Sequence, residues 1–246
     1  MDKFFEIHKD IPREGPGDNF STNKALKMVT GLSENSKILD IGCGPGMQTI
    51  ELAKNASGYI IALDIFDHFL ESVNKKTKEN NFENRIKTVK GSMFELGKNF
   101  EKEEFDLIWS EGAIYTIGFE RGLKEWKNFI NPNGYLVVSE ATWLKDDLPK
   151  ELEEFWKIEY SDMKNIDQNL RIISKQGYNI VDFFTLPKSS WWENYYSPLE
   201  KRIKFLENAH RGNKEWEEVL SSNKKEIEMY RKYSDYYGYV FYIMKK

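Results

Sequence analysis

The chain has 246 residues, 40% of them hydrophobic and 31% charged, enough apolar material for one substantial core and too much for a disordered chain. A formal net charge of −4 lacks the basic excess of a phosphate-backbone binder, so no nucleic-acid partner is expected. Cys43 is the single cysteine and the three histidines are scattered, which excludes an intrachain disulfide and leaves no metal-binding pattern.

Residues 1–10 carry charges throughout and no apolar run reaches spanning length, so no leader and no membrane partner are expected, and cytoplasm is the simplest compartment. Residues 1–24 are polar and turn-rich around Gly15-Pro16-Gly17-Asp18-Asn19, with Ser21 or Thr22 as a cap for a helix over 24–30. From Lys37 onward short apolar runs alternate with amphipathic stretches. Strands are predicted at 38–41, 59–64, 86–89, 105–110 and 134–140, and helices at 47–54, 67–80 and 120–129. Further strands are expected at 180–186 and 239–244, and helices at 200–208 and 216–233. This alternation implies right-handed βαβ units and a mainly parallel sheet.

The segment Ile38-Leu39-Asp40-Ile41-Gly42-Cys43-Gly44-Pro45-Gly46 ends a strand, turns on alternate glycines and begins a helix. Glycine there permits positive φ and close backbone approach to a ligand, and a helix start offers unpaired N–H groups. The spacing is G-x-G-x-G, because Met47 stands where a dinucleotide fingerprint has its last glycine. An acid at the loop mouth, Asp40, would repel a pyrophosphate and suit an ammonium or sulfonium. Asp64 closes the second strand 18 residues after Gly46, where a carboxylate accepts from both ribose hydroxyls.

On these residues the chain resembles the class I S-adenosylmethionine-dependent methyltransferases over roughly residues 35–145, and more broadly the small-molecule, ubiquinone/menaquinone methyltransferase-like bacterial branch. The resemblance implies an α/β, Rossmann-like, mainly parallel seven-stranded sheet with helices on both faces. It implies S-adenosylmethionine as cofactor, with Gly42, Gly44 and Gly46 at its methionine part and Asp40 nearby. Asp64 would hold the ribose, Ile65 and Phe66 would lie beside the adenine, and Ser92 and Met93 would edge it. Many relatives have an acid where Ser92 and Met93 stand. Glu111 would fall at the bottom of the pocket.

The organisation expected is one methyltransferase domain over 1–246: a lid at 1–34, a cofactor-binding core at 35–143, and helical cap insertions at 144–178 and 188–237. Glu111 and Tyr115, at the end of a central strand, are the candidate catalytic residues. Asp18, Thr22, Tyr115, Trp143 and Trp191 are placed facing a small-molecule acceptor. Glu140 reads equally as a satisfied buried acid or a substrate contact. Methyl transfer from a sulfonium needs alignment and water exclusion more than acid–base groups, so the lack of a nucleophile–histidine constellation is consistent with it. Two other readings stay open: a non-catalytic S-adenosylmethionine-binding protein, and a nicotinamide-dependent oxidoreductase, which the glycine spacing and Asp40 disfavour.

Overall fold

The computed structural model describes residues 3–9 and 11–246; residues 1, 2 and 10 of the expected lid fall outside the described residues. Two helices, α1 (Lys3–His8) and α2 (Asn19–Leu26), precede β1 (Lys37–Ile41). The alternating core follows as α3 (Met47–Asn55), β2 (Tyr59–Asp64), α4 (Asp67–Glu79), β3 (Ile86–Lys90), β4 (Phe105–Glu111), α5 (Phe119–Trp126) and β5 (Ile130–Trp143). Then come α6 (Lys150–Glu159), β6 (Lys164–Asn165), α7 (Ile166–Lys175), β7 (Asn179–Thr185), α8 (Lys188–Trp191), α9 (Ser197–Ala209), α10 (Lys214–Tyr233) and β8 (Tyr237–Lys245).

The sheet runs β3-β2-β1-β4-β5-β8-β7, with the two-residue β6 pairing beside the end of β5. β1 to β5 pair parallel, and β8 enters antiparallel between β5 and β7. The strand order reverses between β1 and β4. Their carboxyl ends diverge into a crevice there, which is where open parallel sheets bind ligands.

Both faces of β1 are covered, which accounts for its apolar residues at 38, 39 and 41. Ile38 packs on one face with Trp109, Val137 and Phe241, while Leu39 and Ile41 pack on the other with Ile108, Leu136 and Tyr242. A strand covered on both faces presents no solvent side, so its one interior polar side chain, Asp40, is met by Thr49 within the protein. A third cluster, away from the sheet centre, joins Ile7 and Ile11 to Phe155, Trp191, Tyr196, Ile203 and Tyr230.

Several expectations shift at element ends. Asp18 caps α2, accepting from the Ser21 backbone N–H at 2.7 Å, so the helix starts at Asn19, ahead of the expected start at Lys24. The turn Asn131-Pro132-Asn133-Gly134 is drawn into the irregular start of β5. The two-residue β6 raises the strand count from the expected seven to eight. The stretch 144–178 divides: α6 enters the third cluster through Leu152 and Phe155, whereas α7 lies on the sheet with Ile173 in the core beneath α5. The segment between β7 and β8 is built from α8, α9 and α10 with a π-turn over Trp192–Tyr196, and Tyr237, expected within the insertion, already belongs to β8.

Gly46 begins α3 with φ +88°, and a Cβ there would lie 2.7 Å from Val73 Cγ2 of α4. Gly46→Ala is expected to cost about 1–3 kcal/mol through the positive φ alone, read as a lower urea midpoint with unchanged slope.

Candidate functional site

A cleft opens at the reversal point, enclosing about 250 Å³. Its floor is the glycine turn after β1, its far side the ends of β2 and β3, and its near side the end of β4. Gly42 and Gly44 take φ of +69° and +51°. At Gly42 the need for glycine is steric as well, since a Cβ would meet the Ala113 Cβ at 2.6 Å.

Asp64 is held at the cleft by backbone donors. Its Oδ2 accepts from Gly44 N–H at 3.0 Å and its Oδ1 from Phe66 N–H at 3.1 Å. Each oxygen keeps a lone pair for a ligand hydroxyl. Ile65, Phe66, Met93 and Phe94 supply apolar surface beside it, and Phe66 meets Phe69 edge-on at 5.9 Å.

The roof comes from the N-terminal segment. Arg13, Glu14, Gly15 and Pro16 line the cleft, and Arg13 Nη1 donates to Glu111 Oε2 at 2.8 Å with both side chains buried. Glu111 Oε1 accepts from Thr22 Oγ1 at 2.7 Å and from Trp109 Nε1 at 2.9 Å. Three donors from three elements therefore fix one carboxylate at the cleft wall. Glu14 stands across from Asp64; burial, with the charge of Asp64 adding to it, pushes its carboxyl up to about 8. Arg13 Nε and Glu14 Oε2 are buried there without a hydrogen-bond partner among the described residues.

Of the residues singled out in the sequence, Gly42, Gly44, Asp64, Ile65, Phe66, Ser92, Met93, Glu111 and Tyr115 line this cleft. The others do not. Asp40 is fully buried under the turn, where it accepts from Thr49 Oγ1 at 2.5 Å, and burial pushes it up to about 7. Gly46 packs on α4. Thr22 holds Glu111, and Asp18 caps α2 and accepts from Ser190. Trp143 donates to the Met163 carbonyl at 3.1 Å, and Trp191 stacks on Tyr230 at 4.2 Å, so both are packing residues of the third cluster. Arg13, Glu14, Gln48 and Phe69 line the cleft as well, though no pattern in the sequence marks them, and Cys43 of the glycine turn joins them. Only the Gly15-Pro16-Gly17 turn beside Arg13-Glu14 hints at a segment folded tightly over something.

Could the cleft hold S-adenosylmethionine? Asp64 and Glu14 face a space whose one arginine is neutralised by Glu111, and Glu14 Oε2 is an unmet acceptor, so the acidic side calls for a cationic donor, while Arg13 Nε–H is left to donate to an acceptor group of the same ligand. The diol-ready carboxylate and the apolar slot beside it match a nucleoside. A sulfonium nucleoside bearing an amino acid fits this donor set; a pyrophosphate does not.

A mainly parallel sheet with its order reversed at β1, a glycine turn and an acid closing β2 define the class I methyltransferase fold. The chain belongs to the methyltransferase domain family, whose model matches residues 32–202. It is 25% identical over 208 residues to the sterol 24-C-methyltransferase of Kluyveromyces lactis, covering 78% of this chain and 55% of that protein. It is 24% identical over 208 residues to the phosphoethanolamine N-methyltransferase of Plasmodium falciparum, covering 83% and 73%. The chain thus spans about half the length of the sterol methyltransferase it matches. Its fold is that of the S-adenosylmethionine-dependent methyltransferase of Geobacter sulfurreducens in complex with S-adenosylhomocysteine, with a TM-score of 0.81, 16% identity and coverage of 98% and 96%.

Two outcomes test the electrostatics. Burial, the largest cause in each case, pushes Glu14 and Glu140 up to about 8 and Asp40 and Glu226 to about 7. Each binds its proton more tightly folded than unfolded, so the stability it adds is full below the unfolded carboxyl range and is lost as pH rises through about 7 to 8. The melting temperature of the ligand-free protein is expected to fall between about pH 5 and pH 9; a profile that rises would contradict this assignment. Arg13→Met should cost about 3–5 kcal/mol by leaving Glu111 buried with its charge unpaired, and adding Glu111→Gln should restore part of the loss in urea unfolding.

Proposed function

We propose that this chain transfers a methyl group from S-adenosylmethionine to a small-molecule acceptor. The observation behind the reading is the cleft itself: Asp64, fixed by Gly44 and Phe66 N–H groups, faces Glu14 across a glycine turn, beside an apolar slot. In this reading Asp64 holds the ribose, Gly42 and Gly44 border the amino-acid part, and Ile65, Phe66, Met93 and Ser92 bound the adenine. Bound there, the cofactor supplies an electrophilic methyl carbon whose leaving group is a neutral thioether.

The chain's own contribution is alignment and dryness. Arg13 ties the 11–17 segment over the cleft, so Pro16 and Glu14 cover the floor rather than solvent. Tyr115, 47% exposed at the open end, borders the path by which an acceptor approaches. Holding two reactants in line accounts for roughly 7–11 kcal/mol of a barrier in well-oriented systems. Glu111 acts as a positioning residue, since both its oxygens are engaged by Arg13, Thr22 and Trp109.

The chain would work as one domain, with 1–34 as lid and the 188–237 helices as cap. The named activities of the relatives, on sterols and phosphoethanolamine, support an acceptor of metabolite size, as does the broader chain's resemblance to the ubiquinone/menaquinone-like branch. No described helix is long and apolar enough to cross a membrane. With net charge −4 and a single buried cysteine, the reading is of a cytoplasmic enzyme that works without nucleic acid.

Calorimetric titration with S-adenosylmethionine, S-adenosylhomocysteine and NAD tests the reading. The first two are expected to bind, and Asp64→Ala to weaken both by at least about tenfold, or roughly 1.4 kcal/mol. Binding of NAD alone, or unchanged affinity in Asp64→Ala, would overturn it.

A further inference from the structure

At the carboxyl edge of the sheet β5 outruns β4. The last pair between them is Glu111 with Ser139, whereas β5 continues to Trp143, paired with β8 throughout. Glu140 therefore stands one residue beyond the end of β4, just past the cleft wall formed by Glu111 and Gly112. It is 2% exposed, and its Oε2 has no hydrogen-bond partner among the described residues. The Tyr160 hydroxyl lies near this carboxyl without closing a well-formed hydrogen bond, and it is likewise buried and unpartnered. Native folds leave few such atoms, because an unmet buried polar group forfeits its hydration for nothing. Here two face each other.

The pair is continuous with the cleft. Tyr160 meets Tyr115 edge-on at 5.9 Å, and Tyr115 lines the cleft. Behind the cleft wall lies Tyr239 of β8, whose Cε2 would stand 3.2 Å from a Cβ on Gly112. Tyr239 in turn meets Trp191 at 5.1 Å. Three tyrosines and one buried carboxyl thus gather at the end of β4, beside the cleft that Tyr115 lines.

The residue types select the ligand. A carboxylate beside aromatic rings attracts a cation by charge and by the ring quadrupole. An anionic ligand would meet Glu140 and the charges of Glu226 and Asp162, with Lys164 acting against them. A wholly apolar ligand would leave the Glu140 and Tyr160 oxygens buried and unmet.

We propose that Glu140, Tyr160, Tyr115 and Tyr239 form the acceptor subsite of this protein and that it takes an organic ammonium. Assignment of the subsite to the acceptor rests on the methyltransferase reading; its preference for a cation does not. Burial keeps Glu140 protonated near neutral pH in the empty site, and it supplies the countercharge by releasing that proton to solvent as the cation binds; Tyr160 orients the carboxyl, and the rings of Tyr115 and Tyr239 border the bound group.

The test is titration of the full chain with tetramethylammonium chloride and with tert-butyl alcohol, a neutral probe of similar bulk, followed by NMR or calorimetry. Saturable binding of tetramethylammonium, at least about tenfold tighter than the alcohol and weakened about tenfold or more in Glu140→Gln, is the result expected. Tyr160→Phe should weaken it less. Equal binding of the two probes, no binding of tetramethylammonium, or unchanged binding in Glu140→Gln would overturn the proposal. If Glu140→Gln fails to melt cooperatively, the two-probe comparison on the native chain together with Tyr160→Phe decides. Titrating the same samples with S-adenosylhomocysteine reads the cofactor cleft separately. Binding there with no cation preference removes the ammonium subsite alone, and a cation preference with no such binding removes the methyltransferase reading alone.

Discussion

The buried ion pair between Arg13 and Glu111 is the contact on which the site depends. It joins a segment near the chain start to the end of the central strand, 98 residues away, and its two side chains are only 6% and 4% exposed. A buried pair of this kind is weak evidence of net stability, because desolvation offsets much of the attraction. Its role here is geometric. Glu111 can end β4 inside the molecule only because Arg13, Thr22 and Trp109 satisfy it, and the 11–17 segment becomes a roof only because Arg13 has a fixed anchor.

The roof is also tied outward, to the insertion between β7 and β8. Gly17 N–H donates to the Ser190 carbonyl at 3.2 Å, Asn194 donates to the Gly17 carbonyl at 3.0 Å, and Ser190 donates to Asp18. Arg202 of α9 reaches the Glu6 carbonyl at 3.0 Å. The insertion therefore reaches the cleft through the N-terminal segment more than through its own aromatic rings, which pack on one another. Displacing this roof would break contacts to β4 and to the insertion together, so cleft access and cap position are mechanically linked.

Most of the scaffold was legible because its determinants are local. Runs such as Tyr59–Asp64 and Phe105–Glu111 are strand-length and apolar, and the turn from Gly42 to Gly46 announces its own backbone. Asp64 was legible for the same reason, since its place is set by the strand it ends. The failures involve partners distant in sequence. Nothing local distinguishes Thr22 as a ligand of Glu111, or Arg13 as its counterion. Asp40 reads as a cofactor contact, yet it points beneath the turn, where Thr49 nine residues on satisfies it. Trp143 and Trp191 carry large apolar surface wherever they fall, and the third cluster claimed them. The stretch 144–178 reads as one cap insertion, yet α7 within it rests on the sheet through Ile173.

We read the roofed cleft beside Asp64 as a nucleoside-sulfonium site. A crystal structure of the protein grown with S-adenosylhomocysteine tests this directly. Ligand density is expected in the cleft, with the ribose diol on the Asp64 carboxylate, the adenine between Phe66 and Met93, and the Arg13–Glu111 pair intact above it. Density for the ligand elsewhere, or a cleft that stays free of it at saturating concentration, would rule the site out.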